Sequence, residues 1–197
     1  MDRHTAFSIF LLVLVFSAGF SLAYFFKGNE WKCPVCSFNS ADAITPIVND
    51  QFYEIAFQNI QNAGAEIDIV MYEMKFYDTN NSVHRLEDLL ISKAMQGVKV
   101  KALLDQSEWQ GKITALSKEN QKTADYLKSG GVEVKFDSKK TTTHDKLIII
   151  DSETSIIGSH NWGYSAFESN NEASVLIKDA KIAEYYKNYF DGLWANS

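Results

Sequence analysis

Apolar residues recur along this chain in two alternating rhythms, one of helical and one of strand spacing. Phe52, Ile55, Ala56 and Ile60 stand three and four apart behind Asn49 and Asp50, which predicts a helix capped by that pair and stopped by Gly64. Residues 67–74 alternate and are β-rich, so they read as a strand. Residues 85–96 carry Leu86, Leu89, Leu90 and Ala94 as a helical stripe ending at Gly97, and 98–104 form the next strand. A more polar helix over 114–128 ends at Gly130 and Gly131, followed by a short strand over 132–136. Helix and strand in alternation predict an α/β fold, a sheet covered by helices.

The last third changes character. Residues 146–151 hold four apolar residues in a row, the mark of a strand buried on both faces, and 155–158 repeat the pattern after the polar turn Asp151-Ser152-Glu153-Thr154. These two read as adjacent antiparallel strands. Residues 173–177 add another strand, and 180–194 close the chain as a helix with Ile182, Tyr185, Tyr186, Tyr189 and Phe190 on its apolar side.

The N-terminus follows neither rhythm. Residues 6–26 carry no charge, and at about 1.5 Å per residue that stretch is long enough to cross a hydrocarbon layer of about 30 Å. We read residues 1–30 as a membrane anchor, because the apolar run continues through Tyr24, Phe25 and Phe26; a secretory signal cut after Ala23 is the alternative, which would export the chain. Arg3 on one side and Lys27 with Lys32 on the other give too small a bias to orient it. Residues 31–42 read as a linker containing Cys33 and Cys36, a pair open to three readings: disulfide, half of a zinc site, or free thiols. Residues 43–197 then form the globular domain.

Composition narrows the function classes. At 197 residues, 46% apolar and 22% charged, the chain is expected to bury one core, and two cysteines exclude a disulfide scaffold. A net charge of -6 argues against a generally basic nucleic-acid coat and leaves room only for a local patch. One such stretch exists. Residues 111–146 hold eight lysines against five acidic residues, with Lys135, Lys139 and Lys140 just before the last-third strands; Lys139 and Lys140 are our candidates for substrate binding, a solvated loop being the plainer reading.

Folding the hairpin about its turn sets position 144 across from 161 and 146 across from 159. His144, Lys146, Ser159 and Asn161 then share one face, and their convergence survives a longer loop. An imidazole, a fixed positive charge and two neutral donors suit phosphate: the ring can attack phosphorus while the ammonium offsets charge on the non-bridging oxygens. A carboxylate must orient the imidazole, and Glu172 is the candidate. Asp145 and His160 face away, and Asp151 reads as a turn-former supporting the site. Trp162 and Tyr164 can stack a base or pack against the sheet end.

His144-Asp145-Lys146, four residues, Asp151, six residues, then Gly158-Ser159-His160-Asn161 resembles the HxK(x)4D(x)6GSxN signature of the phospholipase D superfamily, complete in residue type and spacing. The continuation through Ser165-Ala166 to Asn171-Glu172 is similar to its small single-motif endonucleases and to the Zucchini and mitochondrial cardiolipin-hydrolase branch. The resemblance covers about residues 41–196. It implies an α/β/α sandwich around a mixed sheet, a phosphohistidine intermediate, and neither metal nor cofactor, with His144, Lys146, Asp151, Ser159, Asn161 and Glu172 as the catalytic set. One departure has a consequence. Superfamily enzymes use two such motifs, whereas His4, His84 and His160 here are followed by no lysine two positions on. The expectation is a homodimer with its active site on the two-fold axis. Nucleic acid is the expected substrate, a phosphodiester lipid such as cardiolipin the rival, and a non-catalytic phosphate-binding domain the third reading.

Overall fold

Three segments with runs of aliphatic residues pair with one another: β2 (Glu66–Met71), β3 (Lys99–Leu104) and β7 (Lys146–Ile150). In this computed structural model, which describes residues 43–197, they form the centre of a seven-stranded sheet. Beyond β3 lies β6 (Glu133–Phe136); beyond β7 lie β8 (Thr154–Gly158), β9 (Ala173–Lys178) and the edge strand β1 (Ile44–Val48), giving the order β1-β9-β8-β7-β2-β3-β6. β2, β3 and β6 are parallel and the remaining pairs antiparallel, so the sheet is mixed, as expected. Residues 6–26, Cys33 and Cys36 lie outside the described residues. Among those described, no helix is long and apolar enough to cross a membrane.

Both faces of the central strands are covered, which explains the unbroken aliphatic run of β7. On one face α1 (Gln51–Gln61), α2 (Ser82–Met95) and α3 (Ala115–Ser129) bury Phe52, Ala56, Ile60, Val83, Leu86, Leu90 and Leu127 against Ile69, Met71, Ile148 and Ile150. On the other, α5 (Ala180–Ala195) buries Ala183 and Phe190 against Val70, Leu103, Leu147 and Ile149. The apolar side expected for α5 is only partly right: Tyr185 and Tyr189 are exposed. Four elements have no expectation behind them: β1, the two-residue strands β4 (Glu108–Trp109) and β5 (Lys112–Ile113), and the short helix α4 (Tyr164–Glu168).

The helix ends follow local rules, with one exception. Asn81, Thr114 and Asp179 accept from backbone N–H groups of α2, α3 and α5. Gly97 sits at φ 91°, closing α2 in a backbone region costly for other residues. Asn49 does not cap α1. Its Oδ1 accepts from the Glu172 N–H at 3.0 Å and its N–H donates to the Glu172 carbonyl at 3.1 Å, so it ties the end of β1 to the start of β9.

Glu87 of α2 is fully buried and neither carboxyl oxygen has a hydrogen-bond partner; His84 Nδ1 lies 3.7 Å away. Burial, helped by the charge of Asp88, pushes its pKa from 4.5 up to about 9. The folded protein therefore holds a proton that the unfolded chain releases. The resulting stability is complete below the unfolded value of 4.5 and is lost as pH rises towards about 9, with a limiting slope of roughly 1.4 kcal/mol per pH unit. Thermal unfolding across that window should show this fall in the parent and its absence in Glu87→Gln. Equal slopes in the two would show that Glu87 is ionised in the fold.

Candidate active site

The site forms where the chain changes partners at the end of β7. The expected register, 144 across from 161, is not adopted: Leu147 pairs with Ile157 and Ile150 with Thr154, a shift of one residue. The cause is a connection of three residues, Asp151, Ser152 and Glu153, the first two at φ 53° and 54°, closed by Glu153 N–H donating to the Ile150 carbonyl at 3.0 Å. Lys146 is consequently level with Gly158 rather than Ser159.

Convergence is reached by another route. Upstream of β7 the chain turns towards β3, where the Thr143 N–H donates to Asp105 Oδ1 at 2.9 Å. The place vacated beside the continuation of β2 is filled by Trp162, whose N–H donates to the Glu73 carbonyl and whose carbonyl accepts from the Lys75 N–H. Residues 159–161 thus cross the end of β7, next to Lys146 and His144. Asn120 of α3 holds this end in place: its Oδ1 accepts from Met74 N–H and its Nδ2 donates to the Tyr72 and Asp105 carbonyls, all within 2.9 Å.

Two hydrogen-bonded pairs result. Lys146 Nζ lies 3.2 Å from His144 Nδ1 and donates to the His144 carbonyl at 2.7 Å, while the Tyr72 ring packs 4.4 Å from the imidazole and 4.7 Å from Nζ. His144 itself is exposed. Burial pushes the Lys146 ammonium below the usual lysine value, against the pull of Asp145, Glu172, Glu73 and Asp105. In the second pair Ser159 Oγ donates to Glu172 Oε2, and Asn170 Nδ2 donates to Oε1 at 3.0 Å. Burial alone would raise the Glu172 carboxyl, but these two hydrogen bonds and the neighbouring His160 and Lys146 hold it below its ordinary value. Glu172 makes no hydrogen bond to His144, the partner foreseen for it. Asn161 Oδ1 is buried without a partner, a polar atom unspent beside the patch.

The remaining expected residues divide by position. Asp145 faces away, accepting from Tyr189 OH at 2.9 Å, and His160 is buried against Phe52, bonded to Ser174 Oγ and the Asn49 carbonyl. Asp151 lies at the far end of β7 from Lys146. Its carboxylate accepts from the N–H groups of Gly64, Ala65 and Glu66 at 2.8 to 2.9 Å. Burial would raise that carboxyl; the three N–H groups outweigh it and hold it low. Asp151 thus clamps the start of β2 to the hairpin turn. Trp162 is fully buried, which removes it as a stacking platform, whereas Tyr164 is 51% exposed. Lys139 Nζ pairs with Glu108 at 3.0 Å, Lys140 is exposed, and Lys135 donates to the Trp194 carbonyl.

Gly158 explains the first residue of the Gly-Ser-x-Asn run. A Cβ there would stand 2.4 Å from Ser174 Cα and 2.5 Å from the Ala173 carbonyl oxygen, backbone atoms that cannot step aside. Gly158→Ala should cost roughly 3 kcal/mol and lower Tm by about 10 °C; a change of no more than a degree or two would show that β8 and β9 can separate at this point.

A family model described as "Cardiolipin synthase, PLD-like domain" matches residues 56–194. The chain belongs to the phospholipase D-like family. The phospholipase D of Rickettsia typhi is 34% identical over 125 residues, 63% of this chain and 56% of that protein, and the mitochondrial cardiolipin hydrolase of Xenopus laevis is 35% identical over 68 residues, 34% of this chain and 32% of that protein. The chain therefore matches about half the length, or less, of these curated relatives. Among solved structures, Nuc of Salmonella typhimurium, a phospholipase D family member, aligns with TM-score 0.64 at 23% identity over 78% of this chain and 95% of its own. NucT of Helicobacter pylori aligns with TM-score 0.60 at 20% identity over 78% and 96%. These two share the fold.

Proposed function

We propose that the protein is a phosphodiesterase that cleaves nucleic acid, with preference for a single strand, through a phosphohistidine on His144 and without a metal. The observation that carries the reading is the contact between the exposed His144 imidazole and the buried Lys146 ammonium at the open end of the sheet. An ammonium beside Nδ1 favours a lone pair there. A phosphate oxygen, itself an acceptor, competes for Lys146 and frees the ring to carry its proton on Nδ1 and attack through Nε2. The new nitrogen–phosphorus bond forms as the phosphorus–oxygen bond to the leaving group breaks, and that oxygen takes a proton from a second imidazole. Water then attacks phosphorus, giving its proton to that imidazole, and releases His144.

The second imidazole is the partner's His144. The support is the single motif in the sequence together with the exposure of His144 at the open end of the sheet, where a two-fold axis would bring two copies face to face. Asn161 and Ser159 would hold the non-bridging oxygens, and Glu172 would fix Ser159.

For substrate, the large exposed apolar side chains among the described residues are scattered over β1, α2, α5, the β4–β5 hairpin and Tyr164, and make no continuous entry surface beside His144 there. Lys112, Lys118 and Lys140 remain exposed near one end of the sheet, which suits a polyanion. The phospholipase D and cardiolipin hydrolase names of the relatives, and the apolar run over 6–26, favour a phosphodiester lipid as the second reading. A side-by-side assay in chelator, on single-stranded DNA, RNA, duplex DNA, cardiolipin and phosphatidylcholine vesicles, separates the two. The expected result is cleavage of the single strands that weakens steeply with added salt and no phosphatidic acid release; lipid turnover without nucleic-acid cleavage would reverse the assignment.

A further inference from the structure

One cavity near the site takes no part in the chemistry above. It lies at the C-terminal ends of β3 and β6, between the β4–β5 hairpin, α3 and the loop over 137–143 that leads into His144. Its volume is about 160 Å³, close to that of a void that accommodates a six-membered aromatic ring. Phe136 from the end of β6 and Ile113, 58% exposed on the hairpin, give it apolar surface. Gln106 and Gln121 add amide groups, the first held in orientation by its Nε2 donating to the Asp137 carbonyl at 2.6 Å.

The charges at the rim select against a bare anion. Lys139 is spent on Glu108 at 3.0 Å, and the Glu108 carboxylate itself forms part of the wall. Lys118 is the one lining cation without an ion-pair partner among the described residues. Amides and charged groups around a small volume also disfavour an acyl chain. A flat ring with an apolar face, a hydrogen-bonding edge and a single phosphate alongside fits every part of the lining.

We propose that this cavity is a nucleobase subsite for the strand being cut, with the ring against Phe136 and Ile113, its polar edge towards Gln106 and Gln121, and a flanking phosphate at Lys118. The inference rests on the nucleic-acid reading. Lys139 is five residues from His144, so the subsite is at most roughly 18 Å along the backbone from the nucleophile. That span sets the occupant as a base a fixed, small number of nucleotides from the scissile phosphate. The two-residue strands of the hairpin and the Glu108 to Lys139 ion pair would then form one wall of a specificity site rather than a decoration on the β3 to α3 connection.

The test uses the full chain and a short single-stranded DNA in which each base in turn is replaced by an abasic residue. One position should lower kcat/KM by about tenfold while the others leave it nearly unchanged. Gln121→Trp, which fills the cavity from an exposed helix position, and Ile113→Ser should each reduce cleavage of the intact strand to the level of that abasic strand and add no further penalty to it. Cleavage with no position-dependent loss, or a positional loss that persists undiminished in both variants, would overturn the subsite while leaving the nuclease reading standing. No cleavage of any strand, with lipid turnover intact, would overturn both.

Discussion

His144→Ala should lower phosphodiester hydrolysis by at least about 10⁴-fold, since removal of a nucleophile that acts as one unit with its partners leaves only binding and charge stabilisation. Lys146→Met should fall less far, by about 10² to 10³, the usual loss for one preorganised group facing developing charge. Their thermal midpoints should stay close to the parent for His144→Ala, whose side chain is exposed, and Lys146→Met should keep the buried stem. Initial rates on a fixed oligonucleotide under single-turnover conditions check both. Residual activity in His144→Ala within tenfold of the parent would remove the imidazole from the covalent role. Because one ring must be neutral and the other protonated, the parent's pH profile should be bell-shaped, its two apparent values belonging to the pair.

Mixed dimers should lose activity as the square of the wild-type fraction. If the shared site takes nucleophile and acid from two copies of His144, a heterodimer of parent and His144→Ala has one imidazole and cannot complete the reaction. Co-refolding the two in equal amounts should leave about a quarter of the activity, against about half if each chain works alone. A linear fall with composition, or full activity in a species that sediments as a monomer, would contradict the two-fold site.

Much of the fold was legible because the central strands are covered on both faces. The aliphatic run of β7 and the Leu86, Leu90 and Ile60 spacings follow directly from burial, and the structure uses them as read. β1 escaped notice for the same reason in reverse: Ile-Thr-Pro-Ile-Val sits at the sheet edge with only Ile47 buried, so no alternation marks it. The two-residue strands β4 and β5 and the five-residue α4 are too short for a hydrophobic repeat to show itself.

The chemistry-bearing residues were legible as types and spacings, and their partners less so. Asp151 depends on N–H groups 85 to 87 positions away, which no local pattern announces, and the three-residue turn it opens shifts the hairpin register. Tyr72, beside His144, and Asn49, which positions Glu172, are likewise products of tertiary pairing. Asn120 and Asp105 carried a faint signal. One is a polar residue among the buried positions of α3, the other a carboxylate directly following Leu103-Leu104 at the end of a parallel strand, where α/β sheets bind ligands.

The most direct measurement is to trap the intermediate. Single-stranded DNA carrying a labelled phosphodiester is mixed with the full chain in EDTA and quenched in alkali, where a phosphoramidate on histidine survives and a phosphate ester of serine is lost. The account predicts label on the peptide containing His144, released by mild acid, formed without added metal and absent from His144→Ala. Efficient cleavage with no label on that peptide, label that persists in His144→Ala, or complete loss of cleavage in EDTA would contradict it.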